Sequence, residues 1–419
     1  MFRLKLKAGA MQLTLCIVVM IALLLMAFLL FTHSHKLFKV QSEFAIQTIK
    51  NSNRGINYTL LNDTKLNDTT IIELDDNHVE TIQVNREYWG VFERVTSVSK
   101  IKNHVVKKTA IIGGFQNEKD RIALYLQDNN QPLVVVGNTM IKGMSYLPQK
   151  GIKSGSISGQ SYYGNQLIYG AKKNSSNIPK LHAELIYQID NLSYQYLTAK
   201  PEQFINIVSE NSYHHSFFEP VKFMFSIDDI RLSRVHLIGN IIIQSKTRIT
   251  VENSSNLKDV ILIAPEIEVQ DGVKGNFQVF ANKNIVIDSN VVLEYPTAII
   301  LNETQDENDK KKSKVILKSN SYLKGSIIFI GQPASNNYES QIELQDKTTV
   351  FGEVYCNQNI DLKGTVLGSV YTNNFIAKQS GYIYQNHIYN GTISIDELPQ
   401  QYIGVRLSNS KKGIIKWLY

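Results

Sequence analysis

The octapeptide VFGEVYCN at residues 350–357 returns as VLGSVYTN at residues 366–373. Self-similarity at a short fixed period is typical of a solenoid, in which each coil stacks its inward apolar side chains on the next coil. The two copies therefore predict successive coils of a parallel β-helix, with Gly and Asn at the corners. The matched positions, at an offset of 16 residues, are Val350, Gly352, Val354, Tyr355 and Asn357 with Val366, Gly368, Val370, Tyr371 and Asn373.

Weaker copies of the repeat lie on both sides of this pair. Residues 380–386 read SGYIYQN, and LKGS at residues 323–326 echoes LKGT at residues 362–365. From residue 235 onward, short apolar runs are mostly closed by Asn, Asp, Gly or Ser, as expected for strands separated by tight corners. This pattern predicts a parallel β-helix over residues 235–395.

Upstream of the β-helix the sequence divides into three segments. Residues 77–137 contain alternating apolar runs between turn signals, which predict a small antiparallel β unit. Residues 138–179 form a Gly-rich β segment, and residues 180–230 fit helical spacing only in part, which predicts a helical or irregular insert. With a C-terminal tail over residues 396–419, the predicted fold class is mainly β.

An uninterrupted apolar run, MQLTLCIVVMIALLLMAFLLFT, occupies residues 11–32. It contains no charge and no proline, and about 20 apolar residues are enough to span a bilayer. The run is longer than the apolar core of a secretory signal peptide and ends without a small-x-small cleavage site. We therefore predict an uncleaved transmembrane helix. Its basic flank, residues 1–10, is predicted to stay in the cytoplasm, which places the ectodomain in the periplasm or outside the cell.

Residues 33–61 are predicted to continue this helix as a stalk. Phe38, Ala45, Ile49 and Ile56 are spaced as one helical face. Gly55 weakens the prediction of the last turn, because glycine is a poor helix former.

The net charge of +7 does not indicate nucleic-acid binding. The chain has 44 basic and 37 acidic side chains. Five of the basic ones lie in the first 39 residues, which hold no acid, so the excess positive charge largely flanks the apolar helix. The predicted partners are the lipid bilayer and, through the β-helix, a second copy of the chain or an envelope polymer or protein.

Motifs that carry chemistry are sparse. Glycoside hydrolysis needs two facing carboxyl groups, whereas the side chains of Asp75-Asp76 and of Asp228-Asp229 would point to opposite faces of a strand. The His33/His35 and His214-His215 pairs form no zinc-binding motif, and the sequence contains no P-loop, GxSxG or Rossmann motif. We predict no catalytic residue, cofactor or metal ligand. Two cysteines, Cys16 and Cys356, are predicted to be structural and unpaired.

The coil region best defined by the repeat, residues 323–386, resembles the bactofilin-like, polymer-forming β-helix proteins, in which apolar-x-Gly-x-Val units recur once per coil. The resemblance implies a stacked β-helix. Bactofilins are usually cytoplasmic and lack a long ectodomain, so the filament role does not follow from it. The layout as a whole resembles uncharacterised single-pass membrane proteins of Bacteroidota.

A second resemblance concerns the N-terminus. The sequence Lys7-Ala8-Gly9-Ala10 followed by the apolar helix is similar to type IV pilin-like proteins, which carry a basic leader, a small residue at the cleavage point and an apolar helix. The glutamate that this family usually has five residues into the mature helix is replaced here by Leu15.

Three functions remain open from the sequence. The leading hypothesis is a membrane-anchored cell-envelope protein with a structural, assembly or adhesive role through its β-solenoid. The alternatives are a polysaccharide-active β-helix enzyme and a minor pilin or pseudopilin of a secretion or adhesion system.

Overall fold

A computed structural model describes residues 8–74, 80–206, 212–303, 313–332 and 337–418. The chain forms two compact units. The first consists of residues up to 85 together with 96–108, and the second consists of residues 86–95 together with those from 109 onward.

Two α-helices and three 3₁₀ turns are present among the described residues. They are α1 (Ala8–Leu61), α2 (Ala183–Asn191) and the turns Glu118–Asp120, Leu192–Thr198 and Pro201–Gln203. The strands of the first half are β1 (Thr69–Glu73), β2 (Glu80–Trp89), β3 (Phe92–Ile101), β4 (His104–Phe115), β5 (Ile122–Leu126), β6 (Leu133–Val136), β7 (Met140–Lys142), β8 (Met144–Leu147), β9 (Ile152–Ser154), β10 (Ser156–Ile157), β11 (Gln160–Ser161), β12 (Lys172–Asn174), β13 (Ser212–His215), β14 (Lys222–Ser226), β15 (Ile230–Leu232) and β16 (His236–Gly239). Those of the second half are β17 (Ile241–Ser245), β18 (Arg248–Val251), β19 (Asn256–Ile263), β20 (Glu266–Val269), β21 (Lys274–Ala281), β22 (Asn284–Ile287), β23 (Val292–Asn302), β24 (Lys314–Leu317), β25 (Tyr322–Ile330), β26 (Ile342–Leu344), β27 (Thr349–Leu362), β28 (Thr365–Gln379), β29 (Tyr382–Gln385), β30 (His387–Tyr389), β31 (Thr392–Ser394), β32 (Ile403–Gly404) and β33 (Lys411–Leu418).

In the first unit, helix α1 continues from the apolar run into the stalk without a break. Hydrogen bonds hold the stalk to the strands: Asn51 Nδ2 donates to Glu80 Oε2 at 2.8 Å, and Lys108 Nζ donates to Asn53 Oδ1 at 2.7 Å. The same unit contains an antiparallel pair formed by β1 and β2. The helical stalk is therefore a packed element rather than an isolated rod.

The buried face of the stalk coincides only in part with the face that the apolar spacing marked: Ile56 is fully buried. Phe38 and Ile49 are 72% and 44% exposed. A Cβ atom at Gly55 would lie 2.7 Å from Ile82 Cγ2 and 3.0 Å from Val84 Cγ2, so the helix and the strands approach too closely for large side chains. The buried positions are accordingly mostly small or polar: Thr48, Asn51, Ser52, Ile56 and Thr59.

A larger residue at Gly55 should push the stalk off the strands. We expect Gly55→Leu to lower the free energy of unfolding by about 1–3 kcal/mol, the usual effect of overpacking, despite the better helix propensity of leucine. Denaturant titration of the full-length protein in detergent measures the change. Asn57→Leu, at an exposed position on the opposite face of the helix, is the matched control, and an equal loss in both variants would contradict the close approach.

The second unit is a stack of parallel strands in three ladders. One ladder runs β14, β17, β19, β21, β23, β25, β27, β28, β5, β8, β12. The second runs β13, β16, β19, β21, β23, β25, β27, β28, β31, β7. The third contains β15, β18, β20, β22, β24, β26 and β27. Strands β30, β6 and β9 pair with one another in parallel and continue this side of the stack. This large parallel arrangement is consistent with the predicted β-solenoid.

The chain enters this stack in its middle. Strand β5 pairs with β28 through Leu124 and Val370, and through Tyr125 and Tyr371. From β5 the coils lead through β8 to β12; the chain then starts again at β13 and winds back to β28. Two series of coils distant in sequence thus share one apolar core, which includes Leu124, Val279 and Val354.

Three predicted boundaries are corrected by these pairings. Strands β5 and β6 fall in the segment predicted as an antiparallel unit (77–137), yet both pair in parallel within the solenoid. Strands β13 and β14 fall in the predicted insert (180–230) and belong to the first coil of the second series. The predicted tail (396–419) contains β32 and β33, which pair antiparallel with β4. Local sequence cannot show such partners, because they lie far away along the chain.

Side-chain contacts hold the hairpin between β2 and β3 on the solenoid. Gln278 of β21 accepts a hydrogen bond from the Val91 amide and donates one to the Trp89 carbonyl, both at 2.9 Å. Trp89 also meets Phe217 edge-on, with ring centroids 5.2 Å apart. Because the Val91 amide and the Trp89 carbonyl both have a protein partner, these backbone groups need no hydrogen bond to water.

Candidate functional site

The apolar half of α1 is the first functional element. Within the described residues, the chain has one helix that is long and apolar enough to cross a membrane. Its large apolar side chains between Met11 and Phe31 are all exposed, and so is Cys16. Such a surface is stable where lipid or another apolar surface covers it. Residues 1–7 of the basic flank predicted to orient it lie outside the described residues.

The stacked repeat is the second element, and its residues have structural roles. Val350 and Val354 lie directly beside Val366 and Val370 in the apolar core. Tyr355 lies beside Tyr371 with ring centroids 6.5 Å apart. Tyr371, nearly completely buried, accepts a 2.9 Å hydrogen bond from Gln116 Nε2.

The asparagines of the repeat satisfy backbone groups at a corner. Asn357 Nδ2 donates to the Gly331 carbonyl at 2.6 Å, and Asn357 Oδ1 accepts from the Gly331 amide at 3.0 Å. Asn373 accepts from Asn129 Nδ2 through both its backbone and side-chain oxygens. The two asparagines thus supply, at the corner, hydrogen bonds of the kind that a neighbouring strand supplies elsewhere.

Glycines form a column at the bend of the coils. Gly352 and Gly368 are in register and have φ of +148° and +155°, respectively. A Cβ atom at Gly368 would collide with the Gly352 carbonyl oxygen. The Gly of the repeat is therefore required both by its backbone conformation and by the contact with the next coil.

A carboxylate that the sequence reasoning missed lies inside the repeat. Glu353 is partly buried and pairs in register with Ser326 on one side and Ser369 on the other. One of its oxygens accepts a 2.9 Å hydrogen bond from the Val405 amide. The available signal was the charged residue at a position where the second copy of the repeat has serine.

The surroundings of Glu353 disfavour its charge. Burial raises the pKa of this carboxyl to about 7, although the Val405 amide and the Arg121 guanidinium both favour the ionised form. Tyr295 and Tyr402 pack with ring centroids 5.8 Å apart, and burial together with Glu353 raises the pKa of both hydroxyls. Arg121 donates to the carbonyls of residues 398–400 at 3.0–3.2 Å, which fastens the segment that covers Glu353.

Glu353 should make stability fall with rising pH. Its ordinary pKa is 4.5 and its folded pKa is about 7, so between these values the native state keeps a proton that the unfolded chain has released. The free energy of unfolding should therefore decrease across this window by at most about 3 kcal/mol. Glu353→Gln should remove this slope. Denaturation at pH 5 and pH 8 measures it, with the exposed Glu202→Gln as control; the same slope in Glu353→Gln and wild type would contradict the assignment.

A buried ion network lies elsewhere in the second unit. Arg86 donates to Glu93 at 3.3 Å and to both oxygens of Glu184 at 2.9 Å. Arg406 donates to Glu93 at 2.8 Å. These four residues join β2, β3, α2 and the C-terminal region. The sequence offered no signal for the network, because its members are spread over residues 86–406.

The candidate catalytic and metal residues do not converge on a site. Asp228 and Asp229 are both exposed on the short link between β14 and β15, and Asp75-Asp76 lies outside the described residues. His215 Nε2 is 2.7 Å from the Pro220 carbonyl oxygen, whereas His214 is exposed. In the part of the chain that the structure describes, no group of three His, Cys, Asp or Glu side chains is placed to hold a metal ion.

The second cysteine is a core residue. Cys356 is fully buried, and burial raises the pKa of its thiol. A buried neutral thiol is a poor nucleophile, so its environment matches the predicted structural role. Both cysteines are free.

Comparisons with known proteins yield little. No protein-family model matches the chain, and no curated protein matches it either. Among solved structures, the crystal structure of competence-associated pilin ComZ from Thermus thermophilus is 8% identical, with a TM-score of 0.20, and covers 89% of this chain and 97% of that chain. At this identity and TM-score the likeness carries no argument about the fold or the role of this chain. The bactofilin-like resemblance finds no support in these comparisons.

Proposed function

We propose that the chain is a membrane-anchored cell-envelope protein with a structural, assembly or adhesive role through its β-solenoid. The observation that carries the proposal is the character of helix α1. The large apolar side chains of its first half are exposed, whereas its second half is packed against strands. The helix therefore connects a membrane-spanning segment to a folded domain. The solenoid supplies the surface that the anchor presents.

The lateral faces of the solenoid, rather than its ends, are the surfaces proposed for contact. At one end, β12 has three exposed residues, two of them Lys172 and Lys173. Lysine on a short edge strand opposes pairing with another chain. At the other end, Phe204 bridges Phe223 of β14, and the Ile205 amide donates to the Phe223 carbonyl at 2.8 Å. End-to-end stacking of copies is thus disfavoured at both ends of the ladder that runs from β14 to β12.

A non-enzymatic role accompanies this proposal. The carboxylate pair that lies within the described residues is exposed on a turn, and Glu353 is covered by the segment that Arg121 holds. Neither arrangement offers two facing carboxyl groups with room for a sugar between them. Activity against polysaccharides that is lost in the Asp228→Asn/Asp229→Asn double variant would overturn this part.

Charge placed in the apolar run should release the protein from membranes. Each arginine at the centre of a membrane helix costs about 2.5–3.5 kcal/mol on insertion scales, so we expect the Leu23→Arg/Leu24→Arg variant to shift largely to the soluble or aggregated fraction. Alkaline carbonate extraction of cell membranes measures the distribution. Leu61→Arg, at the exposed C-terminal end of α1, is the control; equal membrane retention in both variants would contradict the anchor.

The assembly role has its own test. Multi-angle light scattering of the detergent-solubilised full-length protein, over a wide concentration range, measures oligomer formation after correction for bound detergent. Defined oligomers, or retention on isolated cell-envelope polymer, would support the proposal. A strict monomer that also fails to bind envelope material contradicts it.

A pilin-like component is the second candidate. It is favoured by the unbroken helix of 54 residues from Ala8 to Leu61, in which the apolar half and the packed half are one element. N-terminal sequencing of the mature protein decides between the two. A start at Met11 supports the pilin-like candidate, whereas an intact N-terminus removes it and supports the permanent anchor.

A further inference from the structure

A pocket lined almost entirely by amide side chains lies at one corner of the solenoid. Its volume is about 260 Å³. Successive coils contribute to it, because Asn359 pairs in register with Asn374, and the Asn386 amide donates to the Phe375 carbonyl at 2.6 Å. The lining residues are Asn129, Gln131, Asn337, Tyr338, Gln358, Asn359, Asn373, Asn374, Gln385 and Asn386.

Six of the nine amide residues in this lining have side-chain hydrogen bonds to the protein and build the wall of the pocket. Asn129 Nδ2 donates to Asn373 Oδ1 at 2.7 Å, which ties the first series of coils to the second. Asn359 Nδ2 donates to the Glu339 carbonyl at 2.7 Å, and Gln358 Nε2 donates to the Gln332 carbonyl at 2.8 Å. These bonds fix the positions of the lining residues before any ligand arrives, which lowers the cost of binding.

Other lining groups are left for a ligand. The described residues give the side-chain amides of Gln131, Asn374 and Gln385 no hydrogen bond to the protein. The Oδ1 atom of buried Asn386 also has no partner among them. Each carboxamide offers two donors and an acceptor with two lone pairs. Unused donors and acceptors therefore face one small volume.

The chemistry of the lining selects the class of ligand. None of the lining residues is charged, so the pocket offers no counter-charge to a phosphate, a sulfate or a uronic acid. Mixed amide donors and acceptors match hydroxyl groups, which both donate and accept. Tyr338, which is 47% exposed, adds a flat apolar face beside them. A volume just below that of ordinary drug-sized pockets fits a single hydroxylated ring.

We propose that this pocket binds a neutral sugar unit, held by the amides of Gln131, Asn374 and Gln385 and packed against Tyr338. The site would recognise one residue of an uncharged glycan. This inference is independent of the anchor and of any self-assembly, since it rests on the pocket alone.

Binding of neutral oligosaccharides to the full-length protein tests the proposal. The protein is kept in a polyoxyethylene detergent, because detergents with sugar headgroups would compete. Maltohexaose, cellohexaose and mannohexaose are titrated by calorimetry and by saturation-transfer NMR, with an oligogalacturonate of equal length as the anionic comparison. We expect at least one neutral oligomer to bind and the anionic one not to bind.

The Gln131→Leu/Gln385→Leu variant removes two amides and keeps the side-chain size. We expect binding to weaken about 10-fold or more, with an unchanged melting temperature, since these amides make no described bond to the protein. Gln270→Leu, a half-buried amide on another coil, should bind like wild type. Failure of all three neutral oligomers to bind, stronger binding of the oligogalacturonate, or unchanged affinity in the double variant would each overturn the proposal.

Discussion

The Gly352→Ala variant is expected to lose about 3 kcal/mol of unfolding free energy or more, and to fold poorly. Gly352 has φ of +148°, where a non-glycine residue costs about 1–3 kcal/mol. Its Cβ atom would also collide with the carbonyl oxygen of Gly325 in the neighbouring coil. That carbonyl belongs to a strand in register on both sides, so it cannot move without disturbing several coils.

Gly272→Ala is the matched control for this prediction. Gly272 also has positive φ, +75°, but no atom outside its chain neighbours lies within 4 Å of the added Cβ. It should therefore show the backbone cost alone, about 1 kcal/mol. Guanidinium titration of both variants, followed by the near-UV signal of the buried tyrosines, measures the difference. Equal losses would show that stacking contributes nothing at Gly352.

The Glu93→Gln variant should destabilise the second unit by about 3–5 kcal/mol. The Glu93 side chain is 3% exposed and accepts hydrogen bonds from both Arg86 and Arg406. Without the charge of Glu93, the two buried guanidinium groups keep one carboxylate in the network. That carboxylate belongs to Glu184, whose side chain is 39% exposed. Uncompensated buried charge is among the most costly defects in a protein.

A less deeply buried ion pair in the same hairpin provides the control. Arg94 and Glu87 are 2.6 Å apart, and the Glu87 side chain is 35% exposed. Glu87→Gln should therefore cost less than about 1 kcal/mol. Thermal and chemical unfolding of the two variants can be compared directly, because both substitutions change one carboxylate to its amide. A similar small loss in both would mean that the buried network adds no stability beyond a surface pair.

The stalk shows where a sequence pattern misled and why. Apolar spacing marked Phe38 and Ile49, which are exposed, together with Ile56, which is buried. The buried face also contains Gly55 and Ser52, and at Gly55 the approaching strand leaves no room for a larger side chain. The distance between the helix and the strand decides which side-chain size fits at the contact. Helical periodicity does not encode that distance.

The candidate sites divide in a similar way. The positions of Val354 and Val370 in the core followed from the repeat itself. The amide pocket and the Arg86–Glu93 network did not, because each gathers residues from distant parts of the chain. The charge of Glu353 was visible in the repeat, but its covering segment near Val405 was not.

The sequence by itself determined the apolar helix at residues 11–32 and the coil repeat at residues 350–373. Both depend on interactions between near neighbours: apolar content along one helix, and identical side chains stacked from one coil to the next. The tertiary structure alone shows that β5 lies beside β28, that β33 pairs with β4, and that amides from successive coils meet in one pocket. Parallel pairing across hundreds of residues depends on which complete set of coils buries the most apolar surface without an open edge. That choice is a property of the whole chain rather than of any local stretch.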